Sequence, residues 1–239
     1  MKMKWVAILL PLIAVDLSVG RIAAKVDELG IAKNTLIVFT SDNGGLPSVS
    51  QLDPLRGSKG SLFEAGVRVP TCMRWTGTIK PQTTCATPIT SVDFLPTFTK
   101  LAGGQLAITQ PVDGTDISPL LYGKEIDERS IFWHFPLYLQ GKGLTIDVPG
   151  GQTYSWRGFP STSLRRGEWK RIEFHEGDTV GLYNLKDDPG ETTNLAASRP
   201  DRANRLRAEL DHWQAATEAP VPSEPNPKCV LDAAVGNRK

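Results

Sequence analysis

The sequence predicts an α/β chain: part of a doubly wound sheet, followed by a small antiparallel sheet and closed by a C-terminal helix. Three observations carry this. A helical pattern over Asp16–Leu29 leads into a continuous apolar run, Leu36–Phe39, the α-then-β step of doubly wound folds. After about residue 125 the apolar runs shorten and alternate, at Ile131–Phe135, Leu164–Phe174 and Gly181–Leu185, with Gly167 and Asp188-Pro189-Gly190 as turns. A final helical pattern, Pro200–Ala216, places Leu206, Leu210 and Trp213 on one face.

The elements follow in order. Residues 1–15 form an apolar leader: Lys2 and Lys4 precede an apolar run from Trp5 to Val15, in the manner of a signal peptide. It is too short to span a membrane comfortably, and no A-x-A-like cleavage site follows. A cleaved leader would send the chain to the periplasm or outside the cell; the rival reading is a buried segment at the start of a shortened domain. The next helix takes Asp16 or Ser18 as its cap and ends at Gly30, with Val19, Ile22, Ala23, Val26 and Leu29 on one face. A fully apolar strand such as Leu36–Phe39 suits a parallel sheet covered on both faces. A second strand lies near Val67–Trp75, with Pro70 at its start or on an edge. Ser91–Leu101 predicts a short helix with Pro96 in its first turn, closed by Gly103-Gly104. The α/β portion covers 16–125 and the second subdomain 126–239, with the Pro-rich 218–229 stretch extended.

Of the 239 residues, 40% are hydrophobic and 22% charged, an ordinary globular composition. A formal net charge of +1 gives no global attraction to nucleic acid or to a strongly acidic partner. Cys72, Cys85 and Cys229 have no zinc-ligand spacing and, being odd in number, are no disulfide framework.

The chemistry sits after the first strand. In open α/β sheets ligands bind outside the carboxyl ends of strands, and Asp42-Asn43-Gly44-Gly45 stands there. Two oxygen-bearing side chains beside two glycines fit a hard-metal site, and they fit an ordinary turn as well. The segment "LRGSKGSLFEAGVRVP", residues 55–70, then supplies Arg56, Lys59 and Arg68 among glycines. Glycines let backbone approach a ligand, and a lysine offers a mobile positive charge to an oxyanion. The bland alternative is a solvated basic loop. Glu64 reads as a residue that orients this loop. Arg56 and Arg68 suit either an acidic substrate or a structural role.

"TLIVFTSDNGG", "LRGSKGSLFEAGVRVP", "VDFLPTFTKLAGG" and "DGTDISPLLYG", in that order, resemble the sulfatase family of the alkaline-phosphatase-like superfamily. "IFWHFPLY", "SLRRGEWKRI" and "LYNLKDDPGETTNLA" are similar to its C-terminal subdomain. The resemblance runs from about Val15 to Pro227 and matches the C-terminal half of a full-length member. It implies hydrolysis of sulfate esters, with sulfated small molecules or carbohydrates as partners and no nucleic acid. It also implies that Asp42 and Asn43 are two of four Asp/Asn metal ligands, and that Lys59 is the catalytic lysine touching sulfate. Asn at position 43, where related phosphodiesterases often carry His, favours calcium or magnesium over a transition metal and argues against a phosphoryl hydrolase. Arg56 and His134 are candidate substrate contacts; His134 also reads as a packed ring among aromatics, and His175 and His212 as surface or packing residues.

The family's formylglycine nucleophile arises in a C/S-x-P-x-R motif near the domain start, together with two further metal-ligand aspartates. None of these stands before Asp42. The one literal match, Ser198-Arg199-Pro200-Asp201-Arg202, reads instead as a helix start, with Pro200 in the first turn and Asp201 at the positive end of the dipole. The expectation is therefore a sulfatase half-site, weak or inactive alone and completed by a separate N-terminal half. The alternative is a non-catalytic fragment or pseudoenzyme that binds a sulfated ligand.

Overall fold

The computed structural model describes residues 2–106, 109, 111–139, 146–149, 152–154, 157–177, 179–224 and 226–227, with backbone alone at 2–9 and 152–154. Its elements are α1 (Lys2–Glu28), β1 (Ile37–Thr40), α2 (Glu64–Val67), β2 (Thr71–Arg74), α3 (Phe94–Leu101), α4 (Ser118–Leu121), β3 (Ser130–Phe135), β4 (Ile146–Val148), β5 (Gln152–Tyr154), β6 (Ser161–Arg166), β7 (Trp169–Phe174), β8 (Thr179–Asn184) and α5 (Pro200–Thr217). The chain divides into two units, residues 1–41 with 70–127, and residues 42–69 with 128–239. Cys229 lies outside the described residues.

In the first unit the leader and the Asp16–Leu29 helix are one element. The helix runs from Lys2 to Glu28 through Pro11, and Gly30 follows it with a φ of +68°, the left-handed stop expected of a C-terminal glycine. The Asp16 or Ser18 cap is thus corrected: both residues lie inside the helix, where the Ser18 hydroxyl donates back to Ala14 O at 2.7 Å. Val19, Ala23 and Val26 are half-buried, whereas Ile22 and Leu29 of the same stripe are exposed. No helix among the described residues is long and apolar enough to cross a membrane. Arg74 Nη2 anchors the far end of α1 by donating to both carboxylate oxygens of Asp27, at 2.7 and 2.9 Å.

The parallel pairing expected of Leu36–Phe39 is also corrected. β1 pairs antiparallel with β2, from Ile37 opposite Arg74 to Thr40 opposite Thr71. In β1 Ile37 and Val38 are half-buried while Phe39 and Thr40 are exposed, so its apolar run is not sealed on both faces within these residues. Pro70 stands immediately before β2, where a missing N–H costs no ladder bond.

Further along, buried Asp93 knits two motif segments. Its carboxylate accepts from Thr90 N at 2.8 Å in a capping box and from Thr115 N at 2.9 Å. Its carbonyl accepts from the Thr97 hydroxyl at 2.6 Å, and that hydroxyl accepts from Ile117 N at 2.9 Å. Asp93→Ala strands two N–H groups; the expected loss is about 2–3 kcal/mol, read as a lower urea midpoint.

The second unit is built on a four-stranded antiparallel sheet, β3-β6-β7-β8. Side chains alternate across it. Ile172, Phe174 and Tyr183 face a core with Leu62, Phe63, Ile146, Val148 and Phe159. Leu164 and Leu182 face the other side, where Ala203, Leu206 and Leu210 of α5 cover them. α5 starts with Pro200 in its first turn and Asp201 beside it, which places the Ser198–Arg202 pattern at a helix start.

Candidate functional site

Asp42, Asn43, Arg56, Lys59 and His134 all belong to the second unit. Backbone bonds stitch the two motif segments into one cradle. Lys59 N donates to Gly45 O at 2.9 Å, Gly44 N to Gly66 O at 3.0 Å, and Ala65 N to Arg56 O at 2.9 Å. Glycine is required by close approach: a Cβ at Gly44 would lie 1.9 Å from Ala65 O. The Lys59 loop itself turns through Gly57 (φ +84°) and Gly60 (φ +95°), with Ser58 N donating to Ser61 Oγ at 3.1 Å between them.

The five candidates then separate by what their side chains do. Lys59 is half-buried, and no carboxylate among the described residues pairs with its ammonium. Asp42 is exposed and Asn43 half-buried; both take part in interactions inside the fold. Arg56 spends its donors on the fold: Nη1 donates to Glu191 O at 2.9 Å and Nη2 to Asp147 O at 2.9 Å. Its guanidinium lies 4.1 Å over the Phe63 ring. Nη1 also reaches the Tyr183 hydroxyl, at 3.4 Å; burial pushes that phenol up to about 12, against the pull of Arg56. Both ring nitrogens of His134 are engaged, with Thr162 Oγ1 and Pro220 O, each at 2.9 Å. The Thr162 hydroxyl also meets His175 Nε2 at 2.9 Å, while His212 is exposed.

A buried charge network under the cradle was not foreseen from the sequence. Lys170 is fully buried, with Nζ 2.9 Å from Glu64 Oε1 and 3.0 Å from Glu191 Oε1. The second contact is an ion pair lying off the hydrogen-bonding direction, since Glu191 Oε1 makes no hydrogen bond. Glu191 Oε2 accepts from Glu64 N at 2.6 Å. Glu64 Oε2 faces Arg165 at 3.8 Å and Arg68 at 3.9 Å. Glu64 therefore orients the loop, as its place in the motif suggests, but through partners far away in sequence. Burial pushes the Glu191 carboxyl above the ordinary glutamate range, with Lys170 pulling the other way. Glu191 also sits at φ +52°, a left-handed conformation uncommon for a glutamate and held by these contacts.

Calcium takes about six to eight oxygen ligands. Asp42 and Asn43 supply two, and no group of three or more His, Cys, Asp or Glu side chains suited to a metal is found among the described residues. The oxygen chemistry of the pair suits calcium or magnesium; the number of donors does not complete a site. A cavity of about 310 Å³ lies elsewhere, against Trp169, Arg199, Arg202 and Arg205, and none of the five candidate residues lines it.

A mixed helix-and-sheet chain with a small antiparallel sheet, a C-terminal helix and a lysine held in a glycine cradle defines part of an alkaline-phosphatase-like fold. The chain belongs to the sulfatase family, whose model, described as Sulfatase, matches residues 12–104. It is 32% identical to a sulfatase of Formosa agariphila over 86% of this chain and 39% of that protein. It is 38% identical to the steryl-sulfatase of Mus musculus, over 90% of this chain and 38% of that protein. With arylsulfatase A of Homo sapiens the identity is 31%, over 84% and 43%. Among solved structures it is similar to Ps i-CgsB in complex with k-i-k-neocarrahexaose, with a TM-score of 0.68 and 25% identity over 93% of this chain and 44% of that one. A further neighbour, solved with its substrate D-glucosamine-2-N,6-O-disulfate, has a TM-score of 0.65 at 23% identity, over 90% and 41%, a likeness of fold alone. The chain thus spans about two fifths of the length of the curated relatives it matches.

Proposed function

We propose that this chain carries one wall of a sulfate-ester hydrolase site, acting on a sulfated carbohydrate. The supporting observation is the unpaired, half-buried Lys59 held by its own backbone to the Asp42–Gly45 segment. An ammonium in that position neutralises charge on sulfate oxygens as the ester bond breaks. Asp42 and Asn43 contribute two oxygen donors to calcium or magnesium, which when bound polarises the sulfate. The remaining metal ligands and the nucleophile come from sequence outside this chain's matched share, such as a separate N-terminal half. Exposed apolar side chains of the first unit, among them Phe39, Leu95 and Phe98, suit such a partner. In this reading Arg56 and His134 serve the substrate through the walls they hold. A carbohydrate substrate is supported by the names of the relatives, which include an N-acetylgalactosamine-6-O-sulfatase at 27% identity, and by the sugar complexes among the structural neighbours.

Three measurements test this. In calorimetry a sulfated glucosamine is expected to bind, with Lys59→Ala weakening it about tenfold or more, as loss of a charge-assisted contact predicts. Absence of binding by the unsubstituted chain sinks the proposal. Calcium is expected to bind weakly and to lose that binding in Asp42→Ala; a calcium affinity indifferent to Asp42 removes it from the metal site. Release of sulfate from an aryl sulfate separates a hydrolase from a binding fragment.

A further inference from the structure

The most deeply buried cations of the second unit are matched by carboxylates among the described residues. Lys170 faces Glu64 and Glu191, Arg165 faces Glu64, and Arg171 faces Glu173 at 2.7 Å. Arg157 is different. Its side chain is half-buried, its Nε is sealed from solvent without a hydrogen-bond partner, and no carboxylate among the described residues pairs with it. Sealing a guanidinium N–H from water without a partner is costly, so this side chain marks a place where an anion's oxygen can bind.

Its position names the anion. A Cβ placed on Gly60 would lie 3.4 Å from Arg157 Nε and 2.6 Å from Leu139 Cδ1. Gly158, the next residue, packs so tightly that its own Cβ would stand 2.2 Å from Gly60 O. The backbone of Arg157 is fixed by its N–H, which donates to Leu139 O at 2.9 Å. The unpaired guanidinium thus lies against the residue that follows Lys59, and two unmatched cations flank one glycine turn. A guanidinium is a planar fork that engages a sulfate or carboxylate with paired bonds, where an ammonium is a point charge.

We propose that Arg157 is a specificity residue that holds a second oxyanion, a sulfate or carboxylate on the same sugar, while Lys59 holds the scissile sulfate. This rests on the reading of Lys59 given above. The site would then select sugars bearing two neighbouring anionic groups over those bearing one.

The test compares the unsubstituted chain with Arg157→Met, Arg157→Lys and Lys59→Met. The probes are a disulfated glucosamine, its monosulfated counterpart and a monosulfated uronate, with calorimetric binding and thermal melting as readouts. Arg157→Met is expected to weaken the disulfated sugar about tenfold or more and to change the monosulfated glucosamine by less than about twofold. Arg157→Lys is expected to restore part of the loss. The melting temperature without ligand is expected to hold or rise, because a sealed N–H without a partner has been removed. A monosulfated uronate that follows the disulfated sugar identifies the second group as any oxyanion; one that follows the monosulfated sugar identifies it as sulfate. Equal weakening of both glucosamines, no change in either, or a fall in melting temperature overturns the inference. Loss at Arg157 with none at Lys59 overturns the reading of Lys59 instead, and failure of every sugar to bind the unsubstituted chain overturns both.

Discussion

Lys170→Met is expected to destabilise the second unit by about 3–5 kcal/mol, the cost of stranding a buried charge partner. Lys170 has no access to solvent and stands between Glu64 and Glu191, at 2.9 and 3.0 Å. Methionine fills the volume but leaves two carboxylates in an apolar layer with Phe63, Ile172 and Tyr183 close by. The expected record is a lower denaturant midpoint at unchanged slope. The loss has a pH signature. Burial raises the folded Glu191 carboxyl above its unfolded value, so its contribution is complete below the ordinary glutamate value and is lost as pH rises through the folded one. Removing Lys170 raises it further. The deficit of the variant is therefore expected to widen from acid toward neutral pH. A deficit that stays constant over that range would mean that Lys170 acts through packing alone. Glu191→Gln in the Lys170→Met background is expected to return part of the stability, since one stranded charge is gone.

The strength of that network explains how the loop keeps its place. Glu64 opens α2, its N–H is held by Glu191, and its carboxylate is held by Lys170. α2 is a single turn, too short to persist by propensity. Its position is set by charge contacts to β7 and to the turn after β8, and the Lys59 loop that precedes it inherits that position.

How much of this was legible in the sequence depends on whether the signal was periodic. β3, β6, β7, β8 and α5 follow from short apolar runs between turn residues and from helical spacing, and the two cores on opposite faces of the sheet fix each residue's side. The Lys59 cradle followed from a local motif. The continuity of α1 did not, because a charged flank and an apolar run look alike in a leader and in a helix. Nor did the antiparallel partner of β1: an apolar run reports burial, and strand direction is decided elsewhere in the chain. Lys170 had a signal that went unread. Period two puts it on the face of Ile172 and Phe174, and a lysine on a buried face requires a carboxylate. Glu191 had none, since it lies in a turn where no period applies.

Gly66→Ala is expected to be the other severe substitution, and its cause is separable from backbone conformation. A Cβ at Gly66 would lie 2.0 Å from Ser61 O and 2.6 Å from Ser58 O, both backbone atoms of the Lys59 loop. A rotamer change relieves neither, so the loop must move. Overpacking of this kind costs about 1–3 kcal/mol when side chains yield, and here no side chain is in the way to yield, so the upper end or beyond is expected. Gly77 makes the contrast: at φ +84° with nothing within 4 Å of a Cβ, Gly77→Ala carries only the left-handed strain, about 1–2 kcal/mol. Thermal melting of the two variants therefore ranks close approach above conformational strain. The functional readout is sharper. Gly66 O accepts from Gly44 N, beside Asp42 and Asn43, and the displaced atoms belong to Ser58 and Ser61, on either side of Lys59 and Gly60. Gly66→Ala is thus expected to weaken sulfated-sugar and calcium binding together, though neither ligand touches residue 66. Gly77→Ala is expected to leave both unchanged. If Gly66→Ala lowers stability yet binds both ligands normally, the cradle does not set the geometry of the site, and Lys59 and Asp42 act independently of it.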